Sequence, residues 1–97
     1  MNGRSQAVAL VETASPRRYA KQLAAHLGRR CEIREEGPVT RIVTSAGECV
    51  LSSAPGLLVM QASAATTDDL ERVKHVVGSH LERFGERNEL TVEWHVG

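Results

Sequence analysis

Apolar and polar positions along the chain follow two periods, and the switches between them mark out the elements. Gln6 to Glu12 is apolar on both faces and reads as a first strand. Thr13-Ala14-Ser15-Pro16 then opens a helix, with Ser15 as N-cap and Pro16 in the first helical position. Tyr19, Leu23 and Leu27 recur at i, i+4 and i+8, with Ala20 and Ala24 beside them, forming one apolar stripe. Gly28 is expected as a left-handed C-cap, and Arg29 and Arg30 suit the negative end of the helix.

Four strands separated by turn residues follow: Cys31 to Glu35, Thr40 to Ser45, Glu48 to Ser53 and Leu57 to Ala62. Their spacing is that of an antiparallel meander. A second helix begins at Ala65-Thr66-Thr67-Asp68-Asp69, where either threonine can cap and the aspartates suit the positive end. Its stripe is Leu70, Val73, Val77, Leu81 and Phe84, and Gly85 begins its end. A last strand, Leu90 to Val96, alternates Leu90, Val92, Trp94 and Val96 against Thr91, Glu93 and His95. The order β-α-β-β-β-β-α-β predicts an α+β domain. A mainly antiparallel sheet of about six strands carries both helices on one face, with a TATA-binding-protein-like arrangement as the first expectation.

One sheet face should therefore be polar, yet Ala7 to Val11 and Leu57 to Met60 are apolar on both sides. The excess means either strong curvature and loop coverage, or a second apolar patch for self-association or a ligand groove. The chain has 97 residues, the size of one domain, with residues 1–5 expected as a tail. Twelve basic and twelve acidic residues leave no net charge, which argues against nucleic acid or an anionic membrane as partner. The middle strands carry none of the aromatics an RNA-stacking sheet needs. No run approaches a membrane span and the N-terminus lacks a signal segment, so a cytoplasmic location is expected. Cys31 and Cys49 both fall in strands and are expected as buried free thiols.

Candidate chemistry centres on histidine. His26 and His80 flank the apolar stripes of two helices that should pack on one sheet, so they can approach each other. His75 and His95 point to polar sides. Arg83 and Arg87 follow His80 along one flank, and Arg30 follows His26 at i+4. Such imidazoles and guanidiniums, with Tyr19 nearby, can hold a carboxylate or phosphate by charge-assisted bonds. The competing reading is structural: hydrogen-bonded histidines, and arginines that lie along apolar surface and pair with acids. No third histidine or cysteine at ligand spacing accompanies the pair, so no metal is expected. No catalytic constellation or phosphate loop is present, so no catalytic residue and no cofactor are expected.

Two blocks together, Arg18-Tyr19-x-x-Gln22-Leu23-x-x-His26 and His80-Leu81-x-Arg83-Phe84-x-x-Arg87-x-x-x-x-Val92-x-Trp94, resemble a family of small bacterial proteins known as domain of unknown function 2218. The resemblance spans nearly the whole chain. It implies a short bacterial protein without an assigned activity, and Arg18, Tyr19, His26, His80, Arg83, Phe84 and Trp94 are the positions it carries over. Related domains occur with siderophore-interacting flavoproteins, which implies a link to iron metabolism. The family's first block often continues with an aromatic and a second histidine, where this chain has Leu27 and Arg29. The resulting expectation is a non-enzymatic accessory or protein-interaction domain that self-associates through its sheet. The alternative is a binder of a small anion or metal at His26, His80, Arg83, Arg87 and Tyr19.

Overall fold

In the computed structural model, residues 4–84 and 90–96 are described. The elements are β1 (Ser5–Glu12), α1 (Pro16–Leu27), β2 (Glu32–Glu36), β3 (Val39–Val43), β4 (Gly47–Ala54), β5 (Leu57–Ala64), α2 (Thr67–Phe84) and β6 (Trp94–Val96). All strand pairings are antiparallel, and the sheet runs β2-β3-β4-β5-β1-β6. The expected α+β order is thus realised. Ser5, assigned to the tail from sequence, opens β1 opposite Ala64.

Turn chemistry sets the meander. Gly37 and Gly56 take φ of 63° and 72°, the left-handed region that glycine enters without a Cβ penalty. Pro55-Gly56 links Ala54 to Leu57 with proline at the first turn position and glycine at the second. Between β3 and β4, the Thr44 hydroxyl accepts from the amides of Ala46 and Gly47, both at 3.0 Å, and donates to the Gly47 carbonyl. Gly47 sits against Ala64 so closely that a Cβ there would lie 2.3 Å from the Ser63 carbonyl oxygen.

Both helices close on one face of the sheet. α1 packs on β3, β4 and β5, and α2 on β1, β4 and β5. Ala7, Ala9 and Val11 of β1, Ile42 of β3, Cys49 and Leu51 of β4, and Leu58, Met60, Ala62 and Ala64 of β5 alternate inward. They meet Tyr19, Leu23 and Leu27 of α1 and Leu70, Val73, Val77 and Leu81 of α2 in one core. At roughly 1.5–3 kcal/mol for each large aliphatic side chain buried, this cluster is the main stabilising term.

Three local expectations are corrected. Gly28 is right-handed, with φ −60° and ψ −14°, and donates to Ala24 as one more helical residue. Its fixed place comes from close packing, since a Cβ would lie 3.0 Å from the Ala24 oxygen and 3.4 Å from Ile33. Ser15 makes no side-chain cap; instead its amide donates to the Thr13 hydroxyl. Thr66 is the threonine that caps α2, accepting from the Asp69 amide at 3.1 Å.

The last strand is the third correction. Only Trp94–Val96 pairs with β1, opposite Ala7–Ala9. Leu90 to Glu93 alternates in sequence but joins no ladder. The Val92 amide is satisfied by the Glu82 carboxylate at 3.0 Å instead, and Val92 and Trp94 close over Gly78 of α2. Val96, expected on an apolar face, is almost wholly exposed. Gly85, Arg87 and the Phe84 side chain lie outside the described residues.

Candidate functional site

α1 and α2 each place a histidine on the flank of an apolar stripe near the C-terminal end, and the two rings meet. The centroids of His26 and His80 are 4.9 Å apart, with their planes tilted by 47°. Leu27 of α1 and Leu81 of α2, the neighbours of the two histidines, are buried in the common core. Those leucines anchor the helix ends and thereby bring the flanking rings together.

His80 is half-buried, and its Nδ1 lies 2.6 Å from the Val76 carbonyl oxygen. A carbonyl can only accept, so Nδ1 carries the proton and donates. This fixes the ring and leaves Nε2 as the lone-pair nitrogen of the neutral imidazole. His26 is exposed. Its pKa is lowered by loss of hydration beside its neighbours, and then by electrostatic repulsion from His80 and from the Arg29, Arg83 and Arg30 guanidiniums. Three guanidiniums therefore act on one imidazole in a chain whose net charge is zero.

Arg83 lies one turn beyond His80 on the same flank, as the spacing anticipates. Arg29 and Arg30 stand in the turn that follows α1, at i+3 and i+4 from His26. Sequence reasoning took Arg29 only as a complement to the helix end. Its i+3 spacing from His26 is the signal that places it on the histidine's flank. The arginines also suit the negative ends of both helices, so the cluster is electrostatically favourable without a ligand. Tyr19 is separate: it is buried in the core about 10.5 Å back along α1 from His26. Arg87 lies outside the described residues.

Depressions of about 460 Å³ beside Ser15, Arg17 and Pro55, and about 470 Å³ between Ala46 and His75, lie away from the histidine cluster. Among the described residues, no group of three or more His, Cys, Asp or Glu is placed to hold a metal. Both cysteines are free, Cys49 buried and Cys31 half-buried. Burial pushes the Cys49 thiol up to about 12, so it has no thiolate character near neutrality. Cys31 is also raised by burial, partly offset by Arg30.

A second feature is the sheet face opposite the helices. Val8 and Leu10 of β1, Val50 of β4, and Leu57 and Val59 of β5 alternate with the core residues and so point outward. Leu10 and Val59 are direct cross-strand partners, and Leu10 remains 56% exposed. The charged half of this face is internally neutralised. Arg41 pairs with Glu36 at 3.1 Å and with Glu48 at 2.9 Å, and Arg34 pairs with Glu32. Among the described residues, no helix is long and apolar enough to cross a membrane.

A family model described as an uncharacterized protein conserved in bacteria, domain of unknown function 2218, matches residues 8–95. The chain is also similar to PA4090 from Pseudomonas aeruginosa, whose structure was determined by NMR. The two share 25% identity and a TM-score of 0.76, over 94% of this chain and 95% of that one. No curated protein matches.

Proposed function

The chain belongs to this family of uncharacterised bacterial proteins, domain of unknown function 2218, and from that premise we propose that it is a non-enzymatic accessory domain of the cytoplasm that acts by protein interaction. The observation that carries the reading is the uncovered sheet face, where Leu10 stays 56% exposed against Val59. An apolar strip beside self-neutralised ion pairs suits a partner of the same make-up, and a second copy of the chain is that partner. Two copies related by a two-fold axis would bury the Leu10–Val59 row of each against the other. Sedimentation across micromolar concentrations tests this. A dimer dissociated by Leu10→Glu is expected; a monomer throughout would remove the reading.

The His26–His80 contact favours a second reading, a binding site for a small anion. What supports it is two adjacent rings and the positive charge of Arg29, Arg30 and Arg83 acting together. A carboxylate or phosphate would accept charge-assisted hydrogen bonds from guanidinium and imidazole donors. The iron-linked role implied by the family resemblance would belong to this site. Titration with inorganic phosphate and citrate, followed by NMR shifts, tests the reading. Shifts confined to His26, His80 and Arg83 are expected, and no shift at millimolar anion would end it.

A further inference from the structure

We propose that a second copy docks on the open sheet face with its two-fold axis crossing β1 at Val8, so that Leu10 of each copy seats in a hollow of the other and Glu12 of each pairs with Arg4 of the other. The inference rests on the self-association reading and adds the docking mode, which that reading leaves open.

Shape comes first. The open face carries a protrusion and a hollow. Leu10 of β1 stands 56% exposed. A depression of about 290 Å³ lies beside it, bounded by the outward side chains of Gln6 and Val8 on β1, Gln61 and Ser63 on β5, and Val50 on β4. Outward positions recur at every second residue, so Leu10 lies two residues to one side of Val8 and Gln6 two to the other. A two-fold axis at Val8 therefore carries Leu10 of one copy to the Gln6 side of the hollow in the other. The same operation seats the second Leu10 in return, as a self-complementary interface requires.

Charge agrees with shape. Apart from Glu12 and Glu48, the outward positions of β1, β4 and β5 are uncharged, in a chain that is 25% charged. Depletion of charge at the centre is a mark of interfaces. The two ends of the patch along β1 carry opposite signs. Glu12 lies four residues beyond Val8 and Arg4 four before it, and the Arg4 guanidinium donates to the Ser63 hydroxyl at 3.3 Å, on the rim of the hollow. The axis that seats Leu10 brings Glu12 of each copy to Arg4 of the other. Neither can make that contact within its own chain, because about 27 Å of extended strand separates them. Area also suffices. Six strands at about 4.8 Å spacing, with outward rows about 6.8 Å apart, give a face of roughly 24 Å by 20 Å. Two such faces in contact cover about 1,000 Å² in total, the size at which a specific interface begins.

Sedimentation equilibrium of the full chain and its charge-reversed variants tests the mode. Arg4→Glu alone, or Glu12→Arg alone, sets like charges against each other at both symmetry-related contacts and should weaken the dimer about five- to thirtyfold at low salt. An equimolar mixture of the two variants should associate within about threefold of wild type, because every contact between unlike copies then joins opposite charges. The double variant should recover in the same way. Ser63→Leu, which fills the hollow without changing charge, should weaken the dimer as much as a single reversal. Arg4 and Glu12 are exposed, and thermal melts of each variant establish that it is folded. A wild-type dimer that neither reversal nor Ser63→Leu weakens, or a mixture no stronger than its components, would overturn the docking mode and leave self-association standing. A wild-type monomer at every concentration would overturn both.

Discussion

Replacing His80 by leucine separates a structural histidine from a site histidine. A half-buried ring whose polar partner is orphaned by the change should cost about 1–3 kcal/mol. The partner here is the Val76 carbonyl, four residues back in the same helix. That oxygen already accepts the main-chain amide of residue 80 in the helical ladder, and the substitution leaves this bond in place. Only the side-chain bond is lost, a net of about 0.5–1.5 kcal/mol. Leucine returns a few tenths of a kcal/mol in helix propensity. Its apolar surface, on the flank beside buried Val77, returns up to about 1 kcal/mol more. The terms nearly cancel, so the net change should lie within about 1 kcal/mol of zero. Urea unfolding at pH 7.5 measures it, while titration with phosphate should show binding lost. A destabilisation above about 2 kcal/mol with ligand binding intact would refute the argument and make His80 a core group.

Other consequences follow from the same structure. Gly47→Ala should destabilise by about 3 kcal/mol, the upper end for overpacking, because its Cβ would meet the Ser63 carbonyl oxygen at 2.3 Å and no side-chain rotation relieves that; a melt unchanged from wild type would contradict it. Cys31 should react with a thiol reagent at pH 8 in the folded protein while Cys49, held at about 12 by burial, reacts only on unfolding; equal native rates, read by mass spectrometry, would show the core to be open. His26 is lowered in the folded state, by lost hydration first and then by His80, Arg29, Arg83 and Arg30, so the unfolded chain takes up its proton first. Its influence is therefore neutral to stability above the ordinary histidine value of about 6.5 and destabilising as pH falls below it. The midpoint of urea unfolding should drop between pH 7.5 and 5, less steeply in His26→Asn; parallel slopes would disprove the linkage.

Helices and meander strands were legible because each owes its burial to a local period. Tyr19, Leu23 and Leu27 share a stripe whatever they pack against, and Leu58, Met60 and Ala62 share a strand face by the pleat alone. Gly37 and Gly56 mark turns because only glycine enters the left-handed region cheaply. Leu90 to Glu93 shows the limit. Its alternation is as good as that of β6, but whether an edge segment pairs depends on what lies opposite, and of residues 90–96 only Trp94–Val96 lie against the free edge of β1. Val92 is held by Glu82 instead, a contact between positions ten residues apart that periodicity does not encode. Gly28 departs from the expected left-handed cap because the chain keeps helical angles there, and the tightest contact a Cβ would make is with the Ala24 carbonyl oxygen at 3.0 Å.

The candidate site divides in the same way. By itself the sequence determined that His26 and His80 sit on the flanks of apolar stripes, that Arg83 shares the flank of His80, and that the sheet carries more apolar surface than two helices on one face require. Helical and strand periods fix these, because they set direction relative to a residue's own element. Tertiary structure alone decided that the two rings stand 4.9 Å apart and that Arg83 of α2 acts on His26 of α1. It also decided that Leu10 and Val59 lie together on an uncovered face. Distances between elements depend on how both helices seat in one shared core. Packing of the whole chain fixes that seating, and no local pattern carries it.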